Sequence, residues 1–251
     1  MGAIYKKEIR SMFLSPIAYV VISSFLVLAA IVFRFSNFTT DQNGALNPTS
    51  DMTGFFSNIT IFISIIIAIL SMRFFSEEKR TKTDQLLLTS PVSLYDIVIG
   101  KFLAGITVYA AALAASFIFI FIIMIYGTPQ WGIILGSYLG LLLMGGALIA
   151  IGIFISSLTE SQVISAVATF GVLFIMIFYP ALANSLLQSF INVNSTIMFL
   201  INGTLQILAI YDKYQQFAEG MLDVTAIVYY LSIIAVFLFL TARVLEKRRW
   251  K

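Results

Sequence analysis

Long apolar stretches alternate with shorter polar segments along the chain, and this pattern predicts a bundle of membrane-spanning helices. About 20 mostly apolar residues are enough for a helix to cross the hydrocarbon core of a bilayer. Six such stretches occur, and we expect spans at residues 17–35, 55–74, 101–126, 131–157, 162–183 and 224–243. The sequence therefore predicts an all-α integral membrane protein with six transmembrane helices.

The segment before the first span, residues 1–14, has an amphipathic pattern. Apolar residues can share one helical face and polar residues the other: Ile4, Ile9, Met12 and Phe13 against Lys6, Lys7, Glu8 and Arg10. We expect an N-terminal helix that lies in the membrane interface, and the alternative is a plain positively charged flank. A cleaved signal peptide is not favoured, because the apolar stretch that follows exceeds the usual length of about 7–15 residues.

Residues 184–223 are the ambiguous part of the pattern, because they are long enough to span but rich in Asn, Gln, Ser and Thr. Basic residues favour the cytoplasmic side of a membrane. With six spans, both termini share one side with 13 of the 15 Lys and Arg residues, all except Arg34 and Lys213. A seventh span would move the basic C-terminus outside. We therefore expect cytoplasmic termini and an extracytoplasmic re-entrant or interfacial hairpin at residues 184–223.

Composition excludes several function classes. The chain is 60% hydrophobic and 11% charged, whereas soluble proteins carry about 25% charged residues. The formal net charge of +3 does not indicate nucleic-acid binding. With no Cys and no His, Cys-based catalysis, haem–His ligation, Cys/His zinc sites and Ser–His hydrolysis are excluded. The acidic residues are scattered over loops, so we expect no catalytic, metal or cofactor-binding residues in this chain.

Polar and small residues mark two of the predicted spans. The second span carries Ser57, Asn58, Thr60 and Ser64. Such residues turn toward other helices or a water-filled path, so they are candidates for a translocation path, with helix packing as the other interpretation. In the fourth span, Gly132, Gly136 and Gly140 recur at intervals of four, followed by Gly145, Gly146 and Gly152. This spacing predicts close approach of another helix.

The most charge-dense internal segment, residues 77–98, lies between the second and third predicted spans. Each Lys, Arg or Asp at the bilayer centre would cost about 2.5–3.5 kcal/mol, so this segment lies outside the membrane. Three leucines, Leu86 to Leu88, precede Pro91, which should end a short helix near Ser90. The exposed leucine face either docks on another protein or rests among lipid head groups.

Nearly the whole chain resembles the membrane subunits of type-2 ABC exporters, the permease family. The resemblance rests on the N-terminal helix, the six-span layout, the loop reading EE-x-R…LLLTSPVS…GK and the SSLTES turn after the fourth span. The motifs YDKY at 211–214 and FAEG at 217–220, with the ending VLEKRRW, look most like the gliding-motility-type permease branch. The family commonly has Gly-Thr-(Ile/Leu)-Glu before its leucines, whereas Lys82 and Asp84 stand at the Gly and Glu positions here.

In that family the first cytoplasmic loop forms a coupling helix that docks on the ATPase. The resemblance therefore implies one permease domain over residues 1–251, with residues 77–98 as its coupling loop. It implies ATPase docking by Glu77, Glu78, Arg80, Thr83, Asp84, Leu86, Leu87, Leu88, Thr89 and Pro91. The sequence contains no G-x-x-x-x-G-K-[ST] motif, so ATP and Mg²⁺ would bind a partner P-loop ATPase.

The resemblance also implies a location and further partners. We expect the plasma membrane, in bacteria the cytoplasmic membrane, with surrounding lipid and a second identical or related permease. The gliding-type branch adds an accessory subunit with an extracytoplasmic domain. Alternating access would move a substrate that the sequence does not identify. The alternative is a stand-alone secondary transporter or channel, which usually places ionisable residues in mid-membrane, and none lies clearly within a predicted span.

Overall fold

A computed structural model describes residues 2–40, 46–83, 93–189 and 210–249 of the chain. Ten helices and one short antiparallel hairpin form within these residues. In chain order they are α1 (Gly2–Leu14), α2 (Pro16–Asn37), β1 (Phe38–Thr40), β2 (Leu46–Pro48), α3 (Thr53–Ser71), α4 (Ser76–Arg80), α5 (Leu94–Ala115), α6 (Ile118–Tyr126), α7 (Trp131–Leu158), α8 (Gln162–Ser189), α9 (Ile210–Ala218) and α10 (Val224–Arg249).

Six stretches of the described residues are long and apolar enough to cross a membrane. They are Pro16–Asn37, Thr53–Arg80, Leu94–Tyr126, Trp131–Leu158, Gln162–Pro180 and Val224–Arg249. The prediction of a helical membrane protein with six candidate spans is therefore confirmed, and the small hairpin lies in the polar loop between the first two. We call the end of the bundle where α1 lies the terminal end.

The helix bounds differ from the predicted spans in several places. Helix α5 begins at Leu94, well before residue 101, so the last residues of the coupling loop predicted at residues 77–98 are helical. Helix α8 continues through Pro180 to Ser189, because the loss of one backbone hydrogen bond does not have to end a helix. Helix α10 runs on to Arg249. Of the predicted hairpin at 184–223, residues 190–209 lie outside the described residues, and α9 occupies the part that follows.

The third candidate span is interrupted at Ser116 and Phe117, where a turn separates α5 from α6. The Ser116 hydroxyl lies 2.7 Å from the carbonyl oxygen of Leu113 and 2.9 Å from the hydroxyl of Tyr138. A serine hydroxyl that bonds back to its own helix competes with the backbone ladder and bends the helix. The length and hydropathy of the stretch carry no sign of this interruption.

Helix α7 is the centre of the bundle and contacts α3, α5, α8, α9 and α10. A Cβ atom added at Gly145 would lie 2.7 Å from the hydroxyl oxygen of Tyr109 on α5 and closer still to its ring. Tyr109 is buried and donates a 2.9 Å hydrogen bond to the carbonyl of Leu141. The predicted close packing of the fourth span is therefore confirmed at Gly145 and at Gly140, where an added Cβ would lie 2.6 Å from that of Phe217, but not at Gly132, where it would meet nothing within 4 Å.

An aspartate precedes each of two helices, α3 and α10, at the end of the bundle opposite α1. Asp51 accepts hydrogen bonds from the amide (2.9 Å) and hydroxyl (2.6 Å) of Thr53, and these bonds hold the pKa of Asp51 below its usual value. Asp223 accepts the amide of Thr225 at 2.8 Å before α10, which likewise lowers the pKa of Asp223. Both carboxylates satisfy helix amides that would otherwise lack partners.

Replacement of Gly145 tests the packing of α7. We expect Gly145→Ala to lower the melting temperature of the detergent-solubilised protein, because overpacking a tight contact costs about 1–3 kcal/mol. Gly171→Ala is the matched control, since an added Cβ there meets nothing within 4 Å. Equal melting temperatures for the two variants would contradict the close contact between α5 and α7.

Candidate functional site

The structure describes the first part of the predicted docking loop. Glu77, Glu78 and Arg80 lie on α4, and Thr83 lies in the turn that follows. The other docking residues fall within residues 84–92, outside the described residues: Asp84, Leu86, Leu87, Leu88, Thr89 and Pro91. The structure shows the contacts that hold the chain leading into the leucines.

The entry to the loop is bound to the central helix through Ser156. Helix α3 ends at Ser71, and a turn at residues 72–75 leads into α4. The hydroxyl oxygen of Ser156, on α7, accepts the backbone amides of Phe75 (3.1 Å) and Ser76 (3.2 Å). These are amides that an N-cap side chain would normally satisfy at a helix start. A buried residue 80 positions away along the chain does so here.

Lys79 makes a second connection between α4 and the end of α7. Its ammonium group donates to the carbonyl of Ser157 and, at 3.2 Å, to that of Thr159. The last carbonyls of a helix lack partners within the helix and attract a cation. The SSLTES turn, noticed in the sequence through the resemblance, thus contacts α4, the first part of the predicted docking loop. Sequence reasoning did not assign Lys79 to the site.

Three charged side chains, Glu8, Glu78 and Lys101, meet beside this turn, and we call them the Lys101 network. The side chain of Lys101, on α5, is 1% exposed. It donates to Oε1 of Glu78 on α4 at 2.8 Å and to Oε1 of Glu8 on α1 at 3.2 Å. Its ammonium also lies 5.1 Å from the ring centroid of Phe75. A charge this deeply buried needs such partners, so the network holds α1, α4 and α5 together.

A second ion pair lies next to this network. Arg73 donates to both carboxylate oxygens of Glu77 at 2.6 Å, in the bidentate geometry that guanidinium favours. Glu77 and Glu78, both predicted to contact an ATPase, therefore have partners within this chain. Among the described residues, no group of three or more His, Cys, Asp or Glu is placed to hold a metal ion. The acids of this region are paired with basic side chains instead.

Lys82 adopts a backbone conformation that usually belongs to glycine. Its φ is 56°, and the amides of Lys82 and Thr83 bond to the carbonyls of Lys79 and Glu78. This is the Schellman pattern that ends a helix with a left-handed residue, most often glycine. The same pattern at the end of α9 uses Gly220, whose φ is 83°. Lys82, which stands where the resembling family commonly has glycine, thus adopts a conformation that glycine favours.

Helix α1 packs along α5 through more than the ion pair. Ile4 covers Gly100, where an added Cβ would lie 3.0 Å from its Cγ2 atom. The hydroxyls of Tyr5 and Thr107 are 3.0 Å apart. The sequence pattern placed Glu8 on the polar face of α1, yet Glu8 is buried against Lys101. Neither Glu8 nor Lys101 was predicted as a site residue. The signal available was a lysine just inside a long apolar run.

The candidate path residues of α3 do not all point the same way. Thr60 and Ser64 are buried, and their hydroxyls donate to carbonyls of their own helix. Ser57 faces α9, because its backbone carbonyl accepts a hydrogen bond from the hydroxyl of Tyr211 at 3.1 Å. Asn58 is exposed and donates to the carbonyl of Gly54 at 2.8 Å. The space beside Thr60 and Ser64 measures about 10 Å³, room for about one water. A path-lining role for these residues stays a prediction.

A family model described as ABC-2 family transporter protein matches residues 2–250, nearly the entire chain. A search of curated proteins finds no match.

Removal of the central cation tests the Lys101 network. We expect Lys101→Met to destabilise the protein by about 3 kcal/mol, because it leaves two poorly solvated carboxylates without their partner. Combining it with Glu8→Gln and Glu78→Gln should restore much of the loss, since no unpaired charge then remains. Thermal unfolding in detergent measures both effects, with the exposed Lys6→Met as control. If Lys101→Met melts like Lys6→Met, the network does not hold the three helices together.

Proposed function

The chain belongs to the ABC-2 transporter family, and we propose that it is the permease subunit of an exporter driven by a separate P-loop ATPase. The observation that carries this proposal is the bracing of α4. This helix immediately precedes the predicted docking leucines and is joined to α7 by Ser156 and Lys79. Glu78 and Lys101 join it to α5 and, through Glu8, to α1. A segment that must pass on movement needs such connections.

The bracing supports a mechanism of force transmission. When ATP closes the ATPase subunits, the docked loop moves, and α4 moves with it. Because α4 is hydrogen-bonded to the end of α7, that displacement reaches the central helix and the helices packed against it. The bundle then alternates between inward-open and outward-open arrangements by rigid-body shifts. ATP and Mg²⁺ act on the partner, and this chain contributes docking and movement rather than catalysis.

Further partners follow from the geometry of a six-span chain. One such chain does not readily enclose a path, so we infer a second permease, identical or related. Helices α8 and α10 expose many large apolar side chains, which suit contact with lipid or with that second permease. An accessory subunit with an extracytoplasmic domain follows only if the chain belongs to the gliding-motility-type branch. The substrate is unidentified. Purification from native membranes, with identification of the attached proteins, tests for the ATPase, the second permease and the accessory subunit.

The orientation in the plasma membrane is a separate prediction. We expect both termini in the cytoplasm and residues 184–223 outside, because 13 of 15 basic residues then lie on the cytoplasmic side. The chain has no cysteine, so single cysteines introduced at positions 251 and 213 can be labelled with an impermeant thiol reagent. In intact cells only position 213 should react. Labelling of position 251 would overturn the orientation.

The docking role of the leucines is tested by Leu87→Asp. A carboxylate placed in an apolar contact would be buried without a partner, at a cost of several kcal/mol, so we expect the ATPase to be lost from the purified complex. The permease itself should still insert and fold, because the loop lies outside the bilayer.

Ser161→Asp is the matched control for Leu87→Asp. It adds the same charge to another loop at the terminal end and keeps an oxygen able to accept the amide of Ile164. Retention of the ATPase by both variants, with unchanged ATP hydrolysis, would show that the leucines rest on lipid. A purified chain that transports with no ATPase attached would favour the secondary transporter or channel instead.

A further inference from the structure

The third candidate span changes its backbone hydrogen-bonding pattern near its middle. The amides of Phe117, Phe119 and Ile120 bond to the carbonyls three positions earlier, at 3.2, 3.1 and 3.0 Å. An α-helix uses the carbonyl four positions earlier, so a short 3₁₀ turn separates α5 from α6. No glycine or proline lies between residues 106 and 126 to cause it. A 3₁₀ turn inside a long helical segment often marks a hinge.

Tyr138, on α7, holds this turn from the side. Its hydroxyl lies 2.9 Å from that of Ser116, and its ring stacks on Phe117 with the centroids 4.4 Å apart. Ser116 gives its single hydroxyl proton to the carbonyl of Leu113, so Tyr138 is the donor in the contact between the two hydroxyls. One side chain of the central helix therefore contacts both residues at which the span is interrupted.

The two helices on either side of this turn are attached to different parts of the bundle. Helix α5 is held by hydrogen bonds, which have defined directions. Near its start, Lys101 binds Glu78 of α4 at 2.8 Å. Further along, Tyr109 donates to the carbonyl of Leu141 of α7 at 2.9 Å. The position of α5 is therefore tied to the segment that leads to the docking loop and to the central helix.

Helix α6 makes contacts of another kind. Every side chain of α6 except that of Tyr126 is apolar. The ring centroid of Phe119 lies 5.0 Å from that of Phe33 on α2 and 5.8 Å from that of Phe55 on α3. Phe33 is near the end of α2 and Phe55 near the start of α3, so both lie at the end of the bundle opposite α1. Apolar contacts are non-directional, so α6 can tilt against these rings without breaking hydrogen bonds between side chains.

We propose that residues 116 and 117 are a hinge of the third span and that Tyr138 holds this hinge in the arrangement seen here. When α4 moves with the docked loop, α5 tilts with it, because the Lys101 network joins the two helices. The hinge lets α6 keep its contacts with α2 and α3, whereas a rigid span of 33 residues would pull them apart. The proposal rests on the proposed function for the force that moves α4, but the hinge is a property of this chain alone.

Spin labels on the full chain in detergent, without ATPase, test the hinge. The chain has no cysteine, so introduced cysteine pairs can be labelled and their distances measured by double electron–electron resonance. Leu103→Cys with Ile125→Cys places labels at exposed positions on either side of the hinge, and we call this the hinge pair. Leu135→Cys with Leu158→Cys is the control pair, with a similar separation along the uninterrupted α7.

Loss of the Tyr138 hydroxyl should loosen the hinge. We expect Tyr138→Phe to broaden the distance distribution of the hinge pair and to leave that of the control pair unchanged. Tyr109→Phe is the matched variant, since it also removes a buried hydroxyl that contacts a neighbouring helix but lies away from the turn, and it should broaden neither. If Tyr138→Phe does not fold, Ser116→Ala removes the same hydroxyl contact from the other side.

Three results with the chain alone would overturn the hinge: no broadening of the hinge pair, equal broadening of the control pair, or equal broadening in Tyr109→Phe. The complex with the ATPase then tests what the hinge does. Addition of ATP should shift the hinge-pair distance and leave the control pair unchanged. An unshifted hinge pair while the bound ATPase hydrolyses ATP would show that the span moves as one piece. If no ATPase binds, the proposed function fails, and the measurements on the chain alone still decide the hinge.

Discussion

Glycines on α7 have no side chain, so other helices can pack closely against this helix. The arrangement of the rest of the protein depends on these contacts. Lipid tails are as apolar as leucine, so helices in a membrane associate through close packing and hydrogen bonds rather than through hydrophobic burial. On α7, Gly145 receives the ring of Tyr109 and Gly152 the side chain of Ser71. The second contact brings the end of α3 against α7 just where the chain turns toward α4. Ser156, one helical turn beyond Gly152, is thereby in position to bind the amides of that turn.

Polar interactions at the terminal end restrict how the helices meet more narrowly than apolar packing does. A buried ion pair is often no more stabilising than well-packed apolar residues of the same size. Its geometry is more restrictive, however, because a lysine with two carboxylate partners has a narrow choice of arrangements. Glu8, Glu78 and Lys101 thus define how α1, α4 and α5 meet, and Lys79 adds the end of α7. Directional bonds therefore hold the chain that leads into the predicted docking loop.

The same cluster of charges serves two neighbouring features. On one side it holds the chain that leads to the predicted docking leucines. On the other it lines a cavity of about 340 Å³. Because Glu78 belongs to both features, the chain that leads to the predicted docking leucines and this cavity are neighbours in space.

The sequence by itself determined the six candidate spans and the close packing of part of α7, since span length and glycine spacing are local properties. It also marked residues 77–98 as a polar segment between two spans, although the structure shows that helix α5 already begins at Leu94. Only the tertiary structure decided that Glu8 and Lys101 are partners, because they are 93 positions apart and each looks like an ordinary flanking charge. The role of Ser156 could not be predicted either, because it also lies far along the chain from its partners. Whether a buried charge finds a partner depends on which helices pack together, and no local pattern records that.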